Sequence, residues 1–245
     1  MFSGIQYNSS GDIQADGRLN FWGDDSGPGG AGPGDGDQVS EDVIYSPWLG
    51  FDPKEETDDP VSFFVDESDD SNGINNAIAA ARQGDVVKMS TGSYAGDVID
   101  MAGVTFSPGT SPGCVTIDGD LTAIPATTFD MDIRGESVCD EYDQIEVTGD
   151  LDITGATLNI ILNGYIPYLE DEFVIFTYDG TLSGEFDDIL VDNRGVGFDI
   201  SYDGGQIVLI TYKIPPIPLS NWALYFGFAL MIGLVAVRFH RKSAA

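Results

Sequence analysis

Histidine is almost missing from this sequence: His240 is the only one among 245 residues. That excludes a Ser-His-Asp triad or a histidine-ligated metal anywhere in the long part of the chain before it. Basic residues are scarce too, 10 Lys and Arg against 41 Asp and Glu, for a formal net charge of −31. A field of that sign repels nucleic acid and anionic lipid, attracts divalent cations and keeps the chain soluble. Only two cysteines occur, Cys114 and Cys139, so a disulfide-dense scaffold is excluded, and the lack of a nearby His or third Cys argues against a metal between them. Met1–Tyr7 has neither a basic n-region nor an apolar h-region, so no signal peptide is read there.

What is present points to an all-β protein. Hydrophobic residues make up 42% and aromatics 11%, enough for a core in one or two domains and against disorder throughout. With 31 Gly and 12 Pro, turns are frequent.

The longest uncharged apolar run is Trp222–Val237. Sixteen residues make a helix of roughly 24 Å, short against a hydrocarbon core of about 30 Å, but Phe239 extends it and Arg238 can snorkel. Arg238, Arg241 and Lys242 follow at once as a basic stop. The positive-inside rule then predicts a single-pass membrane protein, its body extracytoplasmic, at the cell surface or secreted after processing. A buried helix of a soluble core is the alternative. The tail topology without a signal peptide leads to the expectation that the chain is a fragment or has a misassigned start.

Ahead of that run, Ile214–Trp222 carries three prolines and reads as an extended spacer. The order of short motif (Ile217, Pro218, Leu219, Ser220, Asn221, Trp222), apolar helix and basic cluster resembles the PEP-CTERM and IPTL-CTERM sorting signals of secreted bacterial proteins. The resemblance implies an exosortase-like processing protease as partner, with the membrane engaged through residues 222–237. A plain permanent anchor is the alternative.

The remainder divides into 1–51, 52–62 (a polar linker), 63–105 and 106–213, with 214–245 as the tail. Leu19-Asn-Phe-Trp-Gly23 and Val43-Ile-Tyr-Ser-Pro-Trp-Leu49 resemble the terminal coil of a pectate-lyase-like right-handed parallel β-helix. In that reading Gly23 takes positive φ and the Trp rings cover an open coil end. Phe63–Val65 reads as a strand. Ile74–Arg82 reads as an amphipathic helix with Ile74, Ala77, Ile78 and Ala81 on one face, stopped by Gly84. The pair resembles the N-terminal cap of a β-helix, which blocks the first coil edge.

Thr116-Ile-Asp-Gly-Asp-Leu121 and Glu146-Val-Thr-Gly-Asp-Leu151 align at an offset of thirty, the period of a solenoid rung. Phe106–Ile117, Glu141–Ile145 and Gly184–Phe186 resemble the coil module of autotransporter-associated surface β-solenoids. The fold class expected is therefore all-β, right-handed parallel β-helix pieces followed by one C-terminal transmembrane helix. Cys114 and Cys139 are about one rung apart and can meet on adjacent coils, parallel strands being about 4.8 Å apart. A disulfide is expected, with two reduced core thiols as the alternative.

Catalytic residues are hard to find, and none is assigned. Asp130 and Asp132 alternate with Phe129, Met131 and Ile133, so both face one side of a strand. Glycosidases need two carboxylates, but a solvated strand face explains the pair as well. Asp66–Asn72 fails the EF-hand template. Gly29–Asp37 faintly echoes a calcium β-roll, which allows weak Ca2+ binding or a flexible acidic turn. Lyases on β-helices use a basic residue beside Ca2+, and no such constellation is visible. Two classes of function follow. One is a non-enzymatic cell-surface or secreted structural, adhesin-like solenoid. The other is the C-terminal fragment of a carbohydrate-active β-helix enzyme. Surface polysaccharide is a candidate partner in either case.

Overall fold

The computed structural model describes residues 4–7, 13–50, 60–67, 70–109, 112–193 and 195–213. The chain opens with short strands: β1 (Gly4–Tyr7), β2 (Ile13–Asp16), β3 (Gly29–Gly30), β4 (Gln38–Val39), β5 (Val43–Ile44) and β6 (Trp48–Leu49). β7 (Ser62–Val65) and α1 (Asp70–Ala80) follow. Four coils come next, each made of three strands. They are β8 (Val86–Met89), β9 (Gly92–Ala95) and β10 (Val98–Ile99); β11 (Thr105–Pro108), β12 (Cys114–Asp118) and β13 (Leu121–Thr122); β14 (Thr128–Asp132), β15 (Gln144–Val147) and β16 (Leu151–Asp152); and β17 (Thr157–Ile161), β18 (Glu172–Tyr178) and β19 (Leu182–Ser183). β20 (Asp188–Val191) and the hairpin of β21 (Val196–Ser201) and β22 (Gln206–Lys213) complete the described fold.

Every coil visits the same three sheets in the same order. Sheet I holds β20-β17-β14-β11-β8-β7-β6, sheet II holds β21-β22-β18-β15-β12-β9, and sheet III holds β10-β13-β16-β19. Successive coils pair in parallel; β6 on sheet I and the terminal hairpin on sheet II are antiparallel. The sequence offset of thirty is a structural register: Thr116 lies beside Glu146, Ile117 beside Val147 and Leu121 beside Leu151.

Alternation sends apolar side chains inward, where stacking lines them up in ranks. On sheet I, Val87, Phe106, Phe129 and Leu158 are all buried, and the Phe106 and Phe129 rings stack at 5.4 Å between centroids. Val98, Leu121 and Leu151 form the matching rank on sheet III. Each such side chain contributes roughly 1.5–3 kcal/mol by leaving water.

The corner between sheets II and III is built from a recurring Gly-Asp pair. The Asp97 carboxylate accepts the Asp120 N–H at 3.0 Å, Asp120 accepts the Asp150 N–H at 2.7 Å, and Asp150 accepts the Thr181 N–H at 2.6 Å. Beside each acid a glycine stacks on a glycine. A Cβ on Gly119 would lie 2.6 Å from the Gly96 carbonyl carbon, and one on Gly149 would lie 2.7 Å from the Gly119 oxygen. At the next corner, buried Asp100 accepts the N–H groups of Ala102, Gly103 and Val104 and the Thr127 hydroxyl.

α1 closes the first coil. Ile74, Ala77 and Ile78 are buried against it, and polar residues beside them bond its open edge. The Ser71 hydroxyl donates to the Ala95 carbonyl, the Asn75 amide donates to the Asp97 carbonyl, and the Ile99 N–H donates to Asn75 Oδ1. Unpaired strand groups that would template another chain are thereby satisfied. The helix begins at Asp70, earlier than its apolar periodicity indicates, and ends at Ala80, before Arg82. Gly84 follows at φ 87°. In the N-terminal part, Gly23 has φ 89°, and Trp48 stacks flat on Phe64 at 5.5 Å, covering sheet I at its β6–β7 edge. Ser62, read as the last linker residue, is the first residue of β7; residues 51–59 lie outside the described residues.

Among the described residues no helix is long and apolar enough to cross a membrane. α1 has 11 residues, one of them a glycine and several polar; at 1.5 Å per residue it spans roughly 16 Å, about half a hydrocarbon core. A fold class ending in a transmembrane helix, and the single-pass, extracytoplasmic placement drawn from it, are therefore withdrawn. The run 222–237, the motif 217–222 and the basic stop Arg238, Arg241 and Lys242 lie outside the described residues.

Two outcomes test this account of the coils. Gly149→Ala should cost on the order of 2–3 kcal/mol in urea unfolding, because backbone of the neighbouring coil must move. Gly164→Ala, at φ 88° with open space around it, should cost only about 1 kcal/mol.

Candidate functional site

The outward residues of sheet I form the floor of a cleft of about 600 Å3. β7, β8, β11 and β14 turn Phe63, Val87, Phe106 and Phe129 inward, so Phe64, Lys88, Ser107 and Asp130 point out. Phe64 is in register with Lys88, Lys88 with Ser107, and Asp130 with Asn159. Trp48, Ser26 and Pro33 from the N-terminal part line the cleft as well, with Asp66 and Asp132 among its carboxylates.

Its charges are few and specific. The Lys88 ammonium lies 5.1 Å from the Phe64 ring centroid, a cation–π contact that holds it over the floor. Burial raises the Asp130 carboxyl above the usual carboxylate range; the Asn159 amide, donating to Oδ1 at 2.8 Å, opposes that, Asp132 adds to it and Lys88 opposes it. Asp132 is buried although it faces outward. Arg134 Nη2 pairs with its Oδ2 at 3.1 Å and the Asn163 amide donates to its Oδ1 at 3.2 Å.

Behind Asp132 the corner between sheets I and II is pinned twice. Fully buried Asp143 accepts the Gly113 N–H at 2.7 Å and the Asp132 N–H at 2.8 Å, joining two coils through one carboxylate. Beside it Cys114 and Cys139 form a disulfide with Cα atoms 4.8 Å apart. The two cysteines sit on adjacent coils, but not as strand neighbours: Cys114 is in register with Gln144, and Cys139 comes from the loop between β14 and β15, at φ 68°. The adjacent coils that the spacing indicates are the ones joined, and a long corner loop folding back supplies the meeting point.

The structure brings Asp130 and Asp132 to one face, as their alternation requires, and sets beside them Lys88, Phe64 and Trp48, which nothing in the sequence connects with the two aspartates. Only stacking unites residues so far apart in the chain. A signal did exist for the corner ladder, because Gly96-Asp97-Val98, Gly119-Asp120-Leu121, Gly149-Asp150-Leu151 and Gly180-Thr181-Leu182 share one pattern. The Gly-rich stretch Gly29–Asp37 folds as a tight turn. Its β3 and β4 pair in parallel, the Gly34 N–H donates to the Pro28 carbonyl and the Gly36 N–H to the Gly27 carbonyl. Nearby, Asp24 accepts the Ser26 hydroxyl and N–H, which lowers its pKa. Among the described residues no group of three His, Cys, Asp or Glu side chains is placed to hold a metal.

Chemically, the cleft offers aromatic faces, serine hydroxyls, one ammonium and carboxylates. That set can bind a hydroxyl-rich or ring-bearing ligand by stacking and hydrogen bonding.

The buried pin makes a pH prediction. Burial pushes Asp143 from 3.8 up to about 7, against its two backbone bonds and Arg134 and with the help of Asp132. A raised folded-state value means that the stability linked to this proton is fully present below pH about 4 and is lost as the pH rises through about 7. Ordinary carboxylates finish titrating below about pH 6, so the melting temperature should fall between pH 6 and pH 8. Asp143→Asn should be less stable overall but flat across that window. An equal slope in both proteins would assign the effect elsewhere.

No family model matches the chain, and no curated protein matches it.

Proposed function

We propose that this chain is a non-enzymatic structural β-solenoid of the adhesin-like kind. The observation that carries the reading is how its corner side chains are used. Asp97, Asp120, Asp150 and Asp143 each bond the backbone of a neighbouring coil, and Cys114–Cys139 adds a covalent tie between coils. Acids so engaged serve cohesion. A disulfide across coils fits an oxidising environment. The resemblance of 106–186 to surface solenoid modules points the same way.

A second reading has one observation in its favour. The cleft over sheet I, with Asp130 above the usual carboxylate range beside buried Asp132, suits a carbohydrate-active β-helix enzyme.

One experiment separates the two. The protein is incubated with a panel of neutral and acidic polysaccharides, and new reducing ends and unsaturated products are measured. The structural reading expects none. Product formation that Asp130→Asn abolishes would overturn it in favour of the enzyme. The scaffold role also predicts that the oxidised protein resists protease across its coils. Cys139→Ser opens a loop of 25 residues. It should lose about 3 kcal/mol on the chain-entropy account and be digested faster.

A further inference from the structure

The sequence contains two Asn-Gly pairs, and the fold treats them in opposite ways. Asn72-Gly73 lies inside α1, with Gly73 buried. There the helical backbone points the Gly73 nitrogen along the axis and fixes the dihedrals on both sides of it. Asn163-Gly164 is instead the tip of the turn after β17. The Tyr165 N–H donates to the Leu162 carbonyl at 2.8 Å, and the two tip residues have φ 48° and 88°. Those values belong to a type I′ turn, for which Asn-Gly is the preferred pair. Both residues are exposed, and no neighbouring atom lies within 4 Å of the place where a Gly164 Cβ would stand.

We propose that Asn163 is a site of spontaneous modification, at which water converts its carboxamide to aspartate or isoaspartate. The Gly164 backbone nitrogen gives up its proton and bonds to Asn163 Cγ. The Cγ–Nδ2 bond breaks, and ammonia leaves carrying that proton. Water then opens the five-membered imide at either carbonyl, giving aspartate from one side and isoaspartate from the other. No oxidant or reductant enters. Gly164 permits the attack because it has no side chain to obstruct it. The Asn163 Nδ2 hydrogen bond to Asp132 Oδ1 is 3.2 Å long, at the far end of the normal range. This one partly buried bond must open before the attack, whereas in α1 the helix itself must open.

The site is consequential because Asn163 joins three coils. Its N–H donates to Asp192 Oδ2 at 3.0 Å on the strand-end after β20, while its Nδ2 donates to Asp132 on β14. Conversion replaces the donor that faces Asp132 with a second carboxylate. A hydrogen bond becomes a like-charge contact beside a residue that lines the cleft. Isoaspartate also lengthens the backbone of the turn, which the Leu162–Tyr165 bond does not tolerate.

The test is peptide mapping of the folded full chain after incubation at mildly alkaline pH. Conversion of Asn163 and Asn72 is followed by the mass change from amide to acid and by the separation of the two isomeric products. Asn163 should convert at least about ten-fold faster than Asn72 in the folded protein, the helix holding Gly73 away. In urea the two should convert at similar rates, and Gly164→Ala should suppress the reaction at Asn163 in both states. Equal conversion of the two sites in the folded protein, or slower conversion at Asn163, would overturn the proposal. Asn163→Asp should lower the melting temperature by roughly 2–4 °C. An unchanged value would remove the claimed effect on the coils.

Discussion

The spacing between coils governs this structure. Parallel strands stack at about 4.8 Å, so every coil must turn each corner directly over the one before it. At the corner of sheets II and III the backbones come too close for a Cβ, which is why glycine recurs at 119, 149 and 180, each over the glycine of the preceding coil. The next residue then presents an N–H that no strand neighbour receives, and an aspartate of the preceding coil accepts it. Hydrogen bonds to a charged acceptor contribute on the order of 1.5–3 kcal/mol each. Their larger effect is to exclude other registers. With the corners aligned, Phe lies on Phe and Leu on Leu in the interior; a slip by one residue would turn those ranks outward.

The same constraint explains how the fold accommodates a net charge of −31. Many acids here are acceptors for backbone donors at places where a coil turns, and the coulombic cost of their crowding is offset by the bonds they accept. Asp100 takes three N–H groups and a hydroxyl in the interior, and Asp143 bridges two coils. Asp143 shows where this arrangement reaches its limit, since burial outweighs its two bonds and raises its pKa into the physiological range. A side chain that ties coils at one pH is thus the one most sensitive to a change of pH.

The ends and the outer faces follow from the stack. At one end α1 replaces a coil, its apolar face continuing the core and its Ser71 and Asn75 completing the first coil's hydrogen bonds. On sheet I the outward residues fall into rows that cross the strands, so side chains far apart in sequence share one cleft. Trp48 enters it from the N-terminal part by stacking on Phe64, which in turn carries the Lys88 ammonium.

Much of the coil architecture is legible in the chain itself. The offset of thirty between Thr116–Leu121 and Glu146–Leu151 is the strand register, the inward and outward alternation of Phe129 to Asp132 holds, and the apolar face of α1 is the buried one. These are local properties, periods of two, of 3.6 and of one rung, and such periods survive in a one-dimensional string. The apolar run near the C-terminus and the basic residues after it are also plain to read, but among the described residues no helix is long and apolar enough to cross a membrane. Tertiary structure decided the rest. It set Cys139 in a back-folded loop, so that the disulfide joins loop to strand. It buried Asp132 on an outward position, and it gathered Trp48, Phe64, Lys88 and Asp130 over one sheet. Those relations depend on which coil lies beside which and on how far each corner loop reaches. The sequence determined the repeat and the faces of each strand; the stacking of coils decided which side chains meet, because proximity across coils is set by backbone register and not by distance along the chain.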